Sequence, residues 1–592
     1  QQILAGIERL VTSLRKWGGW LWLVMLALVC VYPVMVMSDW VQVLSQTWTR
    51  QMIFFWLWLL LSLVMTAYWR KPWLEMAAAT GLSLAVTYHL STYIPHVSTF
   101  PFALWWSETT RYYVASTFFD QRIYGQDLPW VFRDFTRYLM QAVPFLVSGS
   151  PLWVHRLWQA ILRFASGYLT GAVFARRYKL SGQHFGLFTA WAGLYFFQGP
   201  VFYNLIVIVI LTVWLVDVRR FWKTFLVVVL VSVYAGLSRI NWVPMAGLMA
   251  ALYYLLETRV EGRDVGAVLR YLLPPVSWVG VGSVVGVGVQ QFWAANSGNP
   301  PEVFFSSFTS YLLWKRLFPN PSFSIGVLPY TLLLTAPLLI YLLLNLKGWR
   351  ERWHPIRLVA VLAILAVLFA GGLVVSVKIG GGTNLHNMDV FLVALLIIAA
   401  NLFFGRVVDG RGQQVEAVMP LWLKAAVFVV PIIFTASFGG RSIPSIDRQT
   451  ALQDLSTIQS YASQAVDQGG KVLFIAERQL LTFGYIEGVP LVHAHEKLLL
   501  QEMAMSKNEV YLDVFGEEMA AQQYALIISN VMPRDWKNPE KTTLAMENNV
   551  VFYEITPRIT CAYQVKDVLM DGNLEVWMPS EEVTCPNTRS EP

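Results

Sequence analysis

The sequence predicts a polytopic, otherwise all-α membrane protein with a small α/β domain at its C-terminal end. Three observations lead there. The chain of 592 residues is 56% hydrophobic and only 14% charged, with 26 Trp, whereas soluble chains carry about 25% charged residues. Apolar runs of roughly 17 or more residues recur, long enough to cross about 30 Å of hydrocarbon. Beyond residue 440 the pattern changes to short strands alternating with helices, as in a small α/β unit. A porin-like barrel is excluded, because its strands would be about 10 residues of alternating polarity.

Residues 1–17 open the chain. Ile3, Leu4, Ile7, Leu10, Val11 and Leu14 recur at helical spacing, with Arg9, Arg15 and Lys16 between and after them. This predicts an amphipathic helix lying in the membrane interface. These residues show no secretory signal pattern. The membrane domain follows over 18–440. Its apolar runs fall near 18–37, 52–68, 73–94, 152–174, 184–198, 200–217, 224–238, 243–257, 270–290, 327–346, 358–377, 388–405 and 420–438, which makes about thirteen spans.

The connections give the orientation. Alternate connections, such as "WRKP", "ARRYK", "VRRFWK" and "GRVVDGRG", are basic. The positive-inside rule places the basic ones, and the N-terminus, in the cytoplasm. Net charge +7 and pI 9.1 have the same origin. No basic stripe with interleaved aromatics points to nucleic acid.

Three features then face outward: loop 95–151, loop 291–326 and the turn at 378–389. In the first, segments 109–124 and 130–146 are rich in aromatics with interleaved charges, which predicts two helices lying on the membrane surface. The third reads "KIGGGTNLHNMD". Its glycines allow close backbone approach, and Asn384, His386, Asn387 and Asp389 add amide, imidazole and carboxylate groups suited to a sugar or phosphate headgroup. The plainer alternative is a tight turn whose polar residues cap the next helix.

Ionisable groups inside spans are costly. Arg163 lies mid-span, and Arg239 and Asn241 close another span in "AGLSRINWVP". His155 and Arg156 begin the fourth span, and Lys378 ends a later one. Arg156 and Lys378 are placed to snorkel to headgroups. In "WWSETTRYY" (105–113), Glu108 is a carboxylate at the outer face that can serve as a general base. It can equally cap the helix or pair with Arg111.

The C-terminal region, 441–592, is expected outside. Helices are predicted at 449–466 and 496–505, and strands at 471–476, 524–529 and 549–555. No glycine-rich phosphate loop is present. Cys561 and Cys585 form a disulfide if this region is exoplasmic, or stay free thiols otherwise. Cys30, in an apolar run, reads as an inert core residue.

This layout of spans, long first outer loop with an acid near its start, and small exoplasmic domain resembles the GT-C superfamily of membrane glycosyltransferases. That group includes the protein O-mannosyltransferases and aminoarabinose transferases. "SETTRYY" and "KIGGGTNLHN" look like patterns of its bacterial relatives. The resemblance implies a protein of the bacterial cytoplasmic membrane. It implies inverting transfer at the exoplasmic face from a polyprenyl-phosphate sugar, with the loop acid as base. Carried over, Glu108 is the catalytic base, and Asp39, in "SDWVQVLSQTWTR", is a second candidate acid. Arg239 and Lys378 hold the donor phosphate, with Arg111, Arg163 and Asn241 as further substrate-binding candidates. Asn384, His386, Asn387 and Asp389 contact donor or acceptor. A divalent cation is compatible with this chemistry, but no dedicated ligand set or other cofactor is implied. Implied partners are the sugar lipid, membrane lipids and an unnamed acceptor. Two departures from the pattern stand out. The acid pair is Ser107-Glu108 rather than Asp-Glu, and the loop follows the third span rather than the first.

Two other readings fit the same residues. A non-catalytic GT-C-like subunit of a larger assembly fits the missing acid pair. A lipid or solute transporter would gather its polar residues near the midplane, where only Arg163 lies.

Overall fold

The computed structural model describes residues 2–37, 46–199, 201–262, 264–378, 385–437 and 448–585. Asp39 and Asn384 fall outside these residues, as do the three glycines of the 378–389 turn. The helices in order are α1 (Gln2–Leu14), α2 (Trp20–Met37), α3 (Thr47–Trp69), α4 (Trp73–Ser91), α5 (Glu108–Ser116), α6 (Asp120–Tyr124), α7 (Phe135–Gln141), α8 (Leu152–Arg177), α9 (Gly182–Gln198), α10 (Tyr203–Leu215), α11 (Phe221–Gly236), α12 (Met245–Glu257), α13 (Val265–Asn296), α14 (Glu302–Thr309), α15 (Val327–Arg352), α16 (Pro355–Ser376), α17 (Asp389–Phe403) and α18 (Leu421–Ser437). The C-terminal unit adds α19 (Arg448–Asp467), β1 (Val472–Phe474), α20 (Gln479–Thr482), α21 (Lys497–Met505), α22 (Glu509–Ala520), β2 (Leu526–Asn530), α23 (Ala545–Glu554), α24 (Thr556–Thr560), β3 (Tyr563–Leu569) and β4 (Leu574–Pro579).

Among the described residues, four helices are long and apolar enough to cross a membrane: α3, α13, the Val327–Leu346 part of α15, and α16. Gly6–Trp17 and Trp20–Met35, bent by 111°, make a fifth if counted as one span. Helix α8 has the length, at 26 residues, but His155, Arg156 and Arg163 lower its hydropathy. Helices α10, α11, α17 and α18 are apolar but shorter.

The core is built around α17, whose residues 389–402 are all buried. A helix enclosed by protein needs no polar face, so its sequence is apolar all round. The polar turn before it is therefore the lead-in to the most enclosed helix of the bundle. Neighbouring helices approach closely at glycines. A Cβ on Gly236 would lie 2.4 Å from Gly286 O, and one on Gly247 would lie 2.6 Å from Trp278 O. Helices α11 and α12 thus both pack backbone-close on α13, as small residues permit.

The basic connections gather at one end of the bundle. Arg177 donates to Val213 O and Val216 O and pairs with Glu257 at 3.2 Å. Arg357, wholly buried, donates to the carbonyls of Leu255, Leu256 and Val408. The three features expected outside gather at the opposite end, against the C-terminal unit. Thr110 Oγ1 donates to Glu496 Oε1 at 2.5 Å, Tyr311 N to Met505 O at 3.1 Å, and Arg316 to Lys378 O at 2.8 Å.

Helix α5 does not lie on a membrane surface. Seven of its nine residues are buried, because the C-terminal unit covers it. Arg478 N donates to Thr109 Oγ1, and the Arg478 guanidinium stacks 4.6 Å over Tyr113. Helix α7 is likewise inserted between helix ends, with Thr136 N donating to Leu237 O and Asn204 Nδ2 to Thr136 Oγ1.

The C-terminal unit is a mixed four-stranded sheet, order β1-β2-β4-β3, with β1 and β2 parallel and the other pairs antiparallel. Helix α22 was not expected, while helices α19 and α21 and strands β1 and β2 match the expectation. Residues 549–555 do not: the expected strand is helix α23 and its end. Asn549 bonds both backbone groups of Lys537, and Glu547 pairs with Arg316. These tertiary contacts outweigh the β-propensity of Val550 and Val551. Cys561 and Cys585 are joined in a disulfide. Cys30 is exposed on the bundle surface rather than in the core.

Candidate functional site

Glu108 is the first residue of α5 and has no exposed surface. Its partner is Arg156 from the first turns of α8, not Arg111. Arg156 Nε donates to Oε1 at 2.8 Å and Nη2 to Oε2 at 3.2 Å, while Leu104 N donates to Oε2 at 2.5 Å. The remaining Arg156 donors go to the carbonyls of Ser98, Phe100 and Phe102. All five guanidinium N–H groups are thereby used. Arg156 does not snorkel; it ties the entry of the outer loop to the bundle.

One turn along α5, Arg111 has the opposite character. Its Nε and Nη1 are buried and make no hydrogen bond within the described structure. Its electrostatic neighbours are Arg163 of α8, Arg137 of α7, Tyr203 and Tyr138. Burial first, and then the guanidiniums of Arg163 and Arg137, push the Arg111 pKa well below the ordinary arginine range. A guanidinium keeps its proton in a protein, so an anion is what relieves such an environment.

The group has consistent geometry. Arg163 stacks 5.4 Å over Trp105, whose Nε1 is itself a buried donor without a partner. Arg137 stacks 4.6 Å over Phe202, and its Nε is another. The Tyr203 side chain faces all three arginines and meets Arg137. Asp134 Oδ2, at 4.0 Å from Arg137 Nη1, is the adjoining carboxylate. Three guanidiniums and several orphan donors thus converge beneath the loop, with one loose carboxylate at the edge.

Arg239, Asn387 and Asp389 form a second group. Arg239 Nη2 donates to Asn387 Oδ1 at 2.8 Å, and Trp242 Nε1 to Asp389 Oδ2 at 3.0 Å. Asp389 is not the cap of α17; that position is Met388. Arg239 Nη1 and both amide atoms of Asn241 are buried without partners. The two groups adjoin through Phe202, which stands under Arg137 and 5.6 Å from the His386 ring. Lys378 gives its carbonyl to Arg316.

The structure therefore brings together Arg111 with Arg163, and Arg239 with Asn387 and Asp389. Sequence reasoning missed Arg137, Tyr203, Phe202, Trp105 and Asp134. The signal for Arg137 was present in "FRDFTRY", where charges recur inside an aromatic helix, but the segment reads as a helix lying on the membrane surface. Among the described residues no group of three or more His, Cys, Asp and Glu side chains could hold a metal ion. No protein-family model matches the chain, and no curated protein matches it.

Proposed function

We propose that the protein is a GT-C-like membrane glycosyltransferase that moves a sugar from a polyprenyl-phosphate donor to an acceptor at the exoplasmic face. The observation that carries this reading is the group of Arg111, Arg137 and Arg163, in which Arg111 Nε and Nη1 and Arg137 Nε are left unpaired. A phosphate supplies the charge and the acceptor oxygens that group lacks. In this reading about thirteen helices cross the bacterial cytoplasmic membrane, with the N-terminus inside and the C-terminal unit outside. The Cys561–Cys585 disulfide supports an oxidising side for that unit. The convergence of the three expected outer features at one end supports the alternation.

The chemistry is a displacement at the anomeric carbon. The acceptor hydroxyl forms the new C–O bond, the bond to phosphate breaks, and phosphate leaves with the electron pair. The arginines stabilise the growing negative charge, as fixed cationic donors do. The hydroxyl proton goes to a carboxylate. Glu108 keeps one acceptor position on Oε1, but it is wholly buried and paired with Arg156. Asp134, with its looser contact to Arg137, is the second carboxylate placed to accept it.

One observation favours a different reading. The complete burial of the Glu108–Arg156 pair fits a non-catalytic subunit that keeps the fold and binds a phospholipid headgroup. The experiment is a pair of measurements in nanodiscs. Polyprenyl monophosphate, with polyprenol as control, is titrated against wild type and Arg111→Ala. A panel of polyprenyl-phosphate sugars is then tested for sugar release with wild type, Glu108→Gln and Asp134→Asn. Phosphate-dependent binding with release lost in one carboxylate variant supports the transferase. Binding without release supports the subunit, and no preference for phosphate over polyprenol overturns both.

A further inference from the structure

A cavity of about 960 Å³ lies between α3, α4, α9, α15, α17 and α18. That is at the upper end of the roughly 300–1,000 Å³ of small-molecule sites. It extends from Gln51 and Ala436, at the end of the bundle that carries the C-terminal unit, to Leu74, His184 and Lys424 at the end with the basic connections. Its wall is almost wholly apolar and contains no Asp or Glu. Several wall residues, including Phe55, Phe403 and Ile433, are about half exposed, so it opens sideways from the bundle.

The polar groups are sorted by end. Near the C-terminal unit they are engaged: Gln51 donates to Ser437 Oγ at 2.8 Å, and Arg50 donates to Thr47 Oγ1 and to the carbonyls of Ala436 and Ser437. At the other end His184 and Lys424 are exposed. Among the described residues neither side chain has a hydrogen-bond or ion-pair partner. A long apolar groove with an unpaired cation at one mouth matches one kind of molecule: a lipid with an anionic headgroup.

We propose that this groove binds an anionic glycerophospholipid, its acyl chains along the apolar wall between Phe55 and Phe403 and its phosphate at Lys424 and His184. The occupant is not the lipid held by the arginine group. Helix α9, with His184 at its start, has 17 residues and is about 25 Å long at 1.5 Å per residue. It separates the two cationic positions, so a chain seated here carries its phosphate away from Arg111. The site is independent of the transferase reading.

The test is native mass spectrometry of the full chain released from nanodiscs of defined lipid. Phosphatidylglycerol, phosphatidylcholine and polyprenyl monophosphate are offered in turn. One phosphatidylglycerol per chain, retained at least tenfold over phosphatidylcholine, is expected. Lys424→Glu, an exposed change compatible with folding, should remove that preference. Ala78→Phe, which fills the groove, should reduce retention of both diacyl lipids and leave polyprenyl phosphate binding unchanged. Equal retention of the two diacyl lipids, or a preference that survives Lys424→Glu, overturns the proposal. So does polyprenyl phosphate as the lipid lost in Ala78→Phe.

Discussion

Arg156 holds both carboxylate oxygens of Glu108, joining the start of α8 to the start of α5 across 48 residues of sequence. The pair is wholly buried and each partner is otherwise satisfied. Removing one member strands the other as a buried charge, which costs about 3–5 kcal/mol. Arg156→Met is expected to cost that much. Glu108→Gln keeps an acceptor oxygen and should cost less. Thermal unfolding of the two purified variants checks the order.

Arg111 is expected to behave in the opposite way. Its guanidinium is buried beside two others, so Arg111→Met removes an unfavourable charge. Replacing poorly compensated buried charge by apolar volume is neutral or stabilises by about 1–4 kcal/mol. The variant should melt at or above the wild-type temperature while losing phosphate-dependent lipid binding. Lower stability together with intact binding would assign Arg111 a structural role.

The C-terminal unit carries a pH-dependent contact. Glu518 accepts from His495 Nε2 at 2.7 Å and from the Tyr524 hydroxyl at 2.5 Å. The hydrogen bond from His495, ahead of that from Tyr524, holds its carboxyl below the usual 4.5. A depressed folded-state pKa stabilises above the unfolded value and loses that contribution as pH falls through the folded one. Stability should therefore decline on acidification below about pH 4.5. Glu518→Gln should flatten that part of the profile, as followed by the melting temperature between about pH 6 and pH 3.

The Cys561–Cys585 bridge spans a sequence separation of 24. Closing a loop of that size constrains the unfolded chain by about 3 kcal/mol. Cys561→Ser should lower the stability of the C-terminal unit by about that amount. Dithiothreitol should reproduce the loss in wild type and add nothing in the variant.

The long apolar helices were legible because apolar length is a local property of the chain, and among the described residues four of them, or five with the bent pair, are long and apolar enough to cross a membrane. The sites were legible only in part. Arg111, Arg163 and Arg239 could be singled out because charge in an apolar setting is conspicuous. Their partners could not: Glu108 finds Arg156, and Arg239 finds Asn387 148 residues away. Arg137 was hidden because an aromatic-and-charged helix reads the same on a membrane surface as beneath a covering domain. In the C-terminal unit, 549–555 misled because Asn549 and Glu547 are fixed by distant groups. The hairpin of β3 and β4 went unread although Asp571-Gly572, with φ of 50° and 84°, is a strong turn signal.

The covering of α5 also orders events in time. Thr110 waits for Glu496, made 386 residues later, and Arg133 for Glu502, made 369 residues later. At about 5–20 residues per second, the first gap lasts roughly 20–80 s. During synthesis Thr110 and Arg133 therefore stand without these partners while the helices up to α18 are already made. A chain stopped before α19 would lack the residues that cover α5. Covering of α5 is coupled to completion of the polypeptide, so partial products are marked by an exposed α5.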